Sequence, residues 1–202
     1  MSRALLIDLD GVLRRWPVLA GFQERFGIAE SEIRAVAFAS PLLQQAIQGK
    51  LQDGEWRAAI AKQLGAVHGK AIAGAAVGFW SRSAGEVVPD VASLLRRVSP
   101  PYTVVLATNA TTRLNTDLEA LGISSVFAAI ANSSALGTPK PEAAFFTAAL
   151  ELAGVTPENA LFVDDSFENI AAARRLGITA HRFQSAGLLA DFLAERGAVA
   201  AA

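Results

Sequence analysis

The sequence predicts an α/β fold: a Rossmann-like, doubly wound parallel sheet with an inserted all-helical cap subdomain. Three observations predict it. Short, almost wholly apolar runs recur, and each ends in Asp, Asn or Thr: Ala4–Ile7 before Asp8-Leu9-Asp10-Gly11, Tyr102–Thr108 before Asn109, and Ala160–Val163 before Asp164-Asp165-Ser166. Such runs are the mark of strands buried on both faces, as in parallel sheets. Helical patterns alternate with them, which is the arrangement of a doubly wound sheet. Finally, residues 15–86 contain no convincing strand and read as a helical excursion from the sheet.

In chain order, the first strand is followed by helical segments around Val18–Phe26, Glu30–Phe38, Leu42–Gln48, Gly54–Leu64 and Ala71–Trp80, punctuated by Pro17, Pro41, Gly49, Gly65 and Pro89. Beyond them, helices are expected at Val91–Val98, Thr112–Leu121, Glu142–Ala153, Phe167–Leu176 and Gly187–Glu195, with weaker strands at Val126–Ala131 and Ile178–Phe183. Gly122, Gly154 and Gly177 fall just past three of these helices, where a left-handed cap residue belongs. Residues 1–14 and 87–202 therefore form the predicted Rossmann-like core, and residues 15–86 the cap. The excursion leaves the carboxyl end of the first strand, where open α/β sheets bind ligands, so it is placed to act as a lid. The Ala-rich tail, Ala198–Ala202, reads as a fraying end.

Composition narrows the function. With 52% hydrophobic and 18% charged residues, the chain can bury a core without staples and has little tendency to disorder. A net charge of -1 argues against a nucleic-acid binder. Cysteine is absent, which excludes a disulfide framework, a thiolate nucleophile and a Cys-based zinc site. No apolar run approaches the about 20 residues of a membrane span, and the N-terminal run has no secretory pattern. The expected setting is cytoplasmic, with neither membrane nor nucleic acid as partner. Nothing in the sequence sets the oligomeric state.

The chemistry is expected where the strands end. In a parallel sheet those ends share one edge, so Asp8, Asp10, Thr108, Asn109, Asp164 and Asp165 converge on one cleft. Each alone is an ordinary turn or N-cap residue. Together they crowd negative charge, since two carboxylates ~4 Å apart repel by about 4 kcal/mol at an effective dielectric of 20. Such a cluster calls for a proton, a lysine or a hard cation, and an all-oxygen donor set suits Mg²⁺. A lysine stands in Gly137-Thr138-Pro139-Lys140-Pro141-Glu142. The prolines hold its backbone extended, with Pro141 expected in the first turn of the next helix.

Asp8-Leu9-Asp10-Gly11-Val12, Thr108-Asn109, Lys140-Pro141 and Asp164-Asp165-Ser166 resemble, in order, the four signatures of the haloacid dehalogenase (HAD) superfamily. The resemblance is to members with a helical cap after the first strand and spans nearly the whole chain. It implies Mg²⁺-dependent hydrolysis of a small phosphorylated metabolite through an aspartyl phosphate. Asp8 would be the nucleophile and Asp10 the general acid and base. Thr108 and Asn109, with the backbone there, would hold phosphoryl oxygens, and Lys140 would neutralise phosphate and Asp8. The metal would be held by Asp8, the Asp10 carbonyl and Asp165, with Asp164 as a second or water-mediated ligand. Many members have Gly-Asp at the last signature and another acid four residues later, where this chain has Asn169. The dehalogenases that named the superfamily lack an acid matching Asp10, so dehalogenation is not expected.

A phosphomutase would use the same pair of aspartates while excluding water, and a non-enzymatic phosphoacceptor would keep the acids as a switch. Arg14, Arg15 and Trp16 read as leaving-group contacts or as a surface hinge. Lys50 is a loose match to a specificity loop, and Arg113 reads as a phosphate contact or a helix start. Trp56 and Trp80 are expected in the cap core rather than as substrate platforms, and His68 and His181 are read as structural.

Overall fold

The computed structural model describes residues 2–200. Its central sheet holds β1 (Arg3–Ile7), β4 (Tyr102–Thr108), β5 (Ala129–Asn132), β6 (Ala160–Asp164) and β7 (Thr179–Arg182), all parallel, in the order β5-β4-β1-β6-β7. Alternation along each strand explains why the sequence runs are apolar throughout. Leu5, Ile7, Leu106 and Val163 face one hydrophobic layer, whereas Ala4, Leu6, Ala107 and Phe162 face the other. The first layer is closed by α6 (Pro89–Arg96), α7 (Leu114–Ala120) and α11 (Ala186–Glu195), through residues such as Leu95, Leu118 and Leu193. The second is closed by α9 (Ala143–Ala153) and α10 (Phe167–Arg175), where Phe145, Phe146 and Phe162 pack edge to face.

The strand order places β1 at the centre, and the chain runs from it to β4 and β5 on one side before crossing to β6 and β7 on the other. That reversal is where ligands settle in open α/β sheets. It puts Asp8 between the ends of β4 and β6. Gly122, Gly154 and Gly177 all have positive φ behind their helices, as expected.

Five helices lie between the first two sheet strands: α1 (Phe22–Phe26), α2 (Glu30–Ala37), α3 (Leu42–Ile47), α4 (Asp53–His68) and α5 (Lys70–Trp80). They share a core of their own, including Phe22, Ile33, Ile60 and Val77, separate from the two layers on the sheet. Among the described residues no helix is long and apolar enough to cross a membrane.

Four expectations need correction. The excursion is not strand-free at its root: β2 (Arg14–Arg15) pairs antiparallel with β3 (Glu86–Val87), and Arg15 meets Glu86 at 3.1 Å. Two residues a side are too few to leave a periodic signal. A short helix, α8 (Ser133–Leu136), follows β5 where none was expected. Pro141 lies ahead of α9, which starts at Ala143 with Glu142 as its N-cap. The tail does not fray at its start, because Ala198 and Val199 are buried in the first layer and the Ala198 carbonyl accepts from the Ser99 amide at 3.1 Å. Ala201 and Ala202 lie outside the described residues.

Candidate active site

Four of the expected site residues meet at the end of β1. Asp8 is nearly buried, and its Oδ1 accepts from the Leu9 amide at 2.8 Å. Lys140 Nζ lies 2.9 Å from Asp8 Oδ1 and 2.6 Å from Asp164 Oδ2, and it also donates to the Ala107 carbonyl at 2.8 Å. One ammonium thus bridges the ends of β1, β4 and β6. Burial pushes the Asp8 carboxyl up to about 7; Lys140 pulls against that rise and Asp164 adds to it. Burial works against the Lys140 charge, yet Asp8 and Asp164 hold its pKa above the ordinary lysine value.

Asp164 is wholly buried and takes three donor groups. The Ser166 amide donates to Oδ1 at 2.8 Å, Lys140 to Oδ2, and the Asn169 amide group to both oxygens at 3.0 and 3.1 Å. Asn169 is therefore the support of this carboxylate. Asp165 is exposed beside it, and its carboxyl is raised by partial burial and by the charge of Asp164. Oxygens of Asp8, Asp164 and Asp165 all lie within 4.8 Å of one another. The turn after β1 makes room for this approach. Gly11 has φ +79°, and a Cβ there would stand 2.1 Å from Asp165 Oδ2. Three carboxylates facing one ammonium keep a surplus of negative charge, and their all-oxygen donor set fits a small hard cation such as Mg²⁺.

The other expected residues divide. Thr108 is buried at the end of β4, and its Oγ1 has no partner among the described residues. An unpaired hydroxyl at such a place is a ready donor to a ligand oxygen. The Asn109 side chain instead grips the Lys140 loop. Its amide donates to the Lys140 carbonyl at 2.9 Å, and its carbonyl accepts from the Lys140 amide at 2.8 Å. It fixes the lysine and still borders the cavity beside the site.

Asp10 points the other way, into that cavity. Arg14 clamps it with two hydrogen bonds of 2.8 Å, and the Trp16 indole donates at 2.9 Å. Arg14 is only 4% exposed, so it is no surface hinge; it also reaches Asp117 at 3.3 Å and the Ala84 carbonyl at 3.3 Å. The Asp117 partnership is absent from any local pattern, since 103 positions separate the two residues. Arg113 pairs with Asp117 at 2.8 Å and donates to the Ser81 carbonyl, so it joins core to helical insertion rather than reaching Lys140. Lys50 is exposed and does not border the cavity. Trp56 and Trp80 do pack in the insertion core, but both also line the cavity, which sequence reasoning had set aside. His68 pairs with Glu32 at 3.0 Å and His181 stacks on Phe192, both away from the acids.

Comparison with known proteins gives the same frame. The profile of the haloacid dehalogenase-like hydrolases matches residues 3–177. A phosphoglycolate phosphatase of Pseudomonas putida is 28% identical over 190 residues, covering 88% of this chain and 68% of that protein. Among solved structures, the HAD family enzyme BT-2542 of Bacteroides thetaiotaomicron, in complex with magnesium and inorganic phosphate, superposes with a TM-score of 0.70 at 23% identity, covering 91% of this chain and 95% of that one. The L-2-haloacid dehalogenase of Xanthobacter autotrophicus superposes at 0.67 with 21% identity, covering 96% of this chain and 83% of that one. At these identities the two structures speak for the fold alone. The profile match spans most of the chain, from β1 to the turn after α10, and the chain belongs to the haloacid dehalogenase-like hydrolases.

Proposed function

We propose that this protein is a Mg²⁺-dependent phosphatase that hydrolyses a small phosphate monoester through a phosphorylated Asp8. The observation that carries the reading is the buried Asp8–Lys140–Asp164 bridge, with the unpaired Thr108 hydroxyl next in line and Asp10 facing the adjoining cavity. Residues 15–86 would be the cap over this site and the remainder its catalytic core. The relatives named for phosphoglycolate hydrolysis and for complexes with magnesium and phosphate support the class of reaction. A cytoplasmic setting, where phosphorylated metabolites are made, belongs to the same proposal.

In this reading an Asp8 oxygen attacks phosphorus, and the bond from phosphorus to the leaving oxygen breaks. Asp10, free of one of its donors and protonated as the substrate enters, passes that proton to the leaving oxygen and the alcohol departs. Asp10 then takes a proton from water, whose oxygen attacks phosphorus and frees Asp8 with release of phosphate. The Thr108 hydroxyl holds a phosphoryl oxygen, and Lys140, from its place between Asp8 and Asp164, neutralises the phosphoryl charge. Asp8, Asp165 and the Asp10 backbone carbonyl would hold Mg²⁺, which when bound supplies further neutralisation of the phosphoryl charge. Asp164, already serving three donors, positions Lys140 and would be a further oxygen donor near the cation.

The test is phosphate release from an ester panel with Mg²⁺ by the native protein and Asp8→Asn. The variant is expected to lose ~10⁴-fold or more of the activity with its circular dichroism unchanged. Near-normal turnover by Asp8→Asn would sink the mechanism. Isomerised sugar phosphate without free phosphate would replace hydrolysis by a mutase reaction.

A further inference from the structure

A cavity of about 420 Å³ lies between the helical insertion and the carboxyl edge of the sheet, and it reaches the catalytic end at Asp10 and Asn109. That size lies in the ordinary range for a small-molecule site. Its wall is aromatic and aliphatic. Trp16, Trp56 and Trp80, all the tryptophans of the chain, border it together with Phe38, Leu43 and Ile47. Trp56 and Trp80 stand 6.0 Å apart, with their rings tilted by 56°.

The charged groups on that wall tell more about what it excludes. Arg14 is already engaged by Asp10 and Asp117, Arg57 lies 2.6 Å from Asp53, and Arg34 lies 3.6 Å from Glu30. Four carboxylates thus border the cavity against three guanidiniums, a surplus of one negative charge. Every guanidinium bordering it has a carboxylate partner. A second anionic group on a ligand would have to displace one of these acids into the same partly desolvated space, which disfavours it twice over. Glycolate, small and anionic, leaves the aromatic wall empty and adds to the surplus.

We propose that the natural ester has a leaving group with a ring-sized apolar body and no second anionic group, seated against Trp16, Trp56 and Trp80. The inference rests on the phosphatase reading above and assigns the specificity of the same site. Discrimination comes from both parts of the wall. The aromatic surface gains from burying a ring, and the self-neutralised arginines penalise a carboxylate or second phosphate.

The experiment compares kcat/KM, with Mg²⁺ present, for benzyl phosphate, para-carboxybenzyl phosphate and phosphoglycolate, with acetyl phosphate as a probe that needs no cavity. The carboxylate of the second ester sits far from the reacting oxygen, so the first pair isolates the effect of charge. Benzyl phosphate is expected to exceed both anionic esters by ~10-fold or more. Glu30→Gln, which frees Arg34, is expected to narrow the ratio of the benzyl pair several-fold. In parallel, benzylphosphonate should shift tryptophan emission at concentrations where phosphonoacetate does not, because all three indoles border this cavity. Equal or better turnover of the anionic esters, with acetyl phosphate hydrolysed, overturns the specificity and leaves the phosphatase standing. Failure with the three esters and with acetyl phosphate overturns the phosphatase itself. Emission that does not respond to benzylphosphonate overturns the assigned seat.

Discussion

Lys140 joins three strand ends through one ammonium, and its own backbone is held by Asn109, so the residue is fixed at both ends of its side chain. Arg14 does the same for the opposite wall, tying Asp10 to Asp117 at the foot of the insertion. Removing a buried partner from such a network leaves uncompensated charge behind. Arg14→Met is therefore expected to cost about 3 kcal/mol in stability, measured by urea unfolding; a loss within experimental error would show the network to be idle. His181 gives a pH signature elsewhere. Burial and the nearby Arg174 hold its imidazole below the ordinary 6.5, and its Nε2 is buried without a partner among the described residues. Below pH 6.5 the unfolded chain takes up a proton at this ring before the folded protein does, so stability falls as acid is added. His181→Gln should flatten the drop in melting temperature between about pH 6.5 and pH 5, while starting lower for want of the stack on Phe192. An unchanged slope would assign the acid lability to other groups.

In the turn after β1, Gly11 adopts φ +79° and leaves room for the Asp165 carboxylate, so the turn and the last signature depend on one missing side chain. Gly11→Ala is expected to lower the melting temperature through backbone strain and to weaken Mg²⁺ binding ~10-fold by displacing Asp165, read by calorimetric titration without substrate. Tight binding by the variant would mean that Asp165 holds no cation. The strands themselves were legible because both their faces are buried: Leu5 and Leu6 serve opposite layers, and the run carries no polar break. The edge strands were harder to delimit. β7 holds Thr179, His181 and Arg182, none of them fully buried, and β5 starts at Ala129, three residues later than its apolar run implies. What stayed illegible was made by distance in sequence. Nothing near Asn109 in the chain announces that its side chain will meet the backbone of Lys140.

The helical insertion is tied to the sheet domain through the start of α4 and the end of α5. Asp53 at the start of α4 accepts from Thr111 Oγ1 at 2.8 Å, and its amide donates to Thr112 Oγ1 at 3.0 Å. Arg57, on the same helix, donates to the Ser81 carbonyl at 2.7 Å, which Arg113 of the core also reaches. The bonds from Thr111, Thr112 and Arg113 join the insertion to the sheet domain beside the cavity. Thr111→Val removes one of them and is expected to cost about 1 kcal/mol, to raise KM more than it lowers kcat, and to speed amide exchange in the first turn of α4. Exchange at the native rate would show that docking does not depend on this bond. Three of the four signatures could be read along the chain because β1, β4 and β6 deliver them to one edge, where the loop carrying Lys140 meets them. The cavity could not, since its walls come from α2 to α5 and from β-strand loops with no common period.

The two-stranded ribbon of Arg14–Arg15 with Glu86–Val87 brings the outgoing and returning chain to adjacent strand positions. Seen from the sheet, whatever lies between them is spliced in at a single point. The strand order and the bridge made by Lys140 are indifferent to its length. If the proposed phosphatase reading holds, exchanging the inserted segment would alter the substrate range while Asp8, Lys140 and Asp164 keep their places on the sheet.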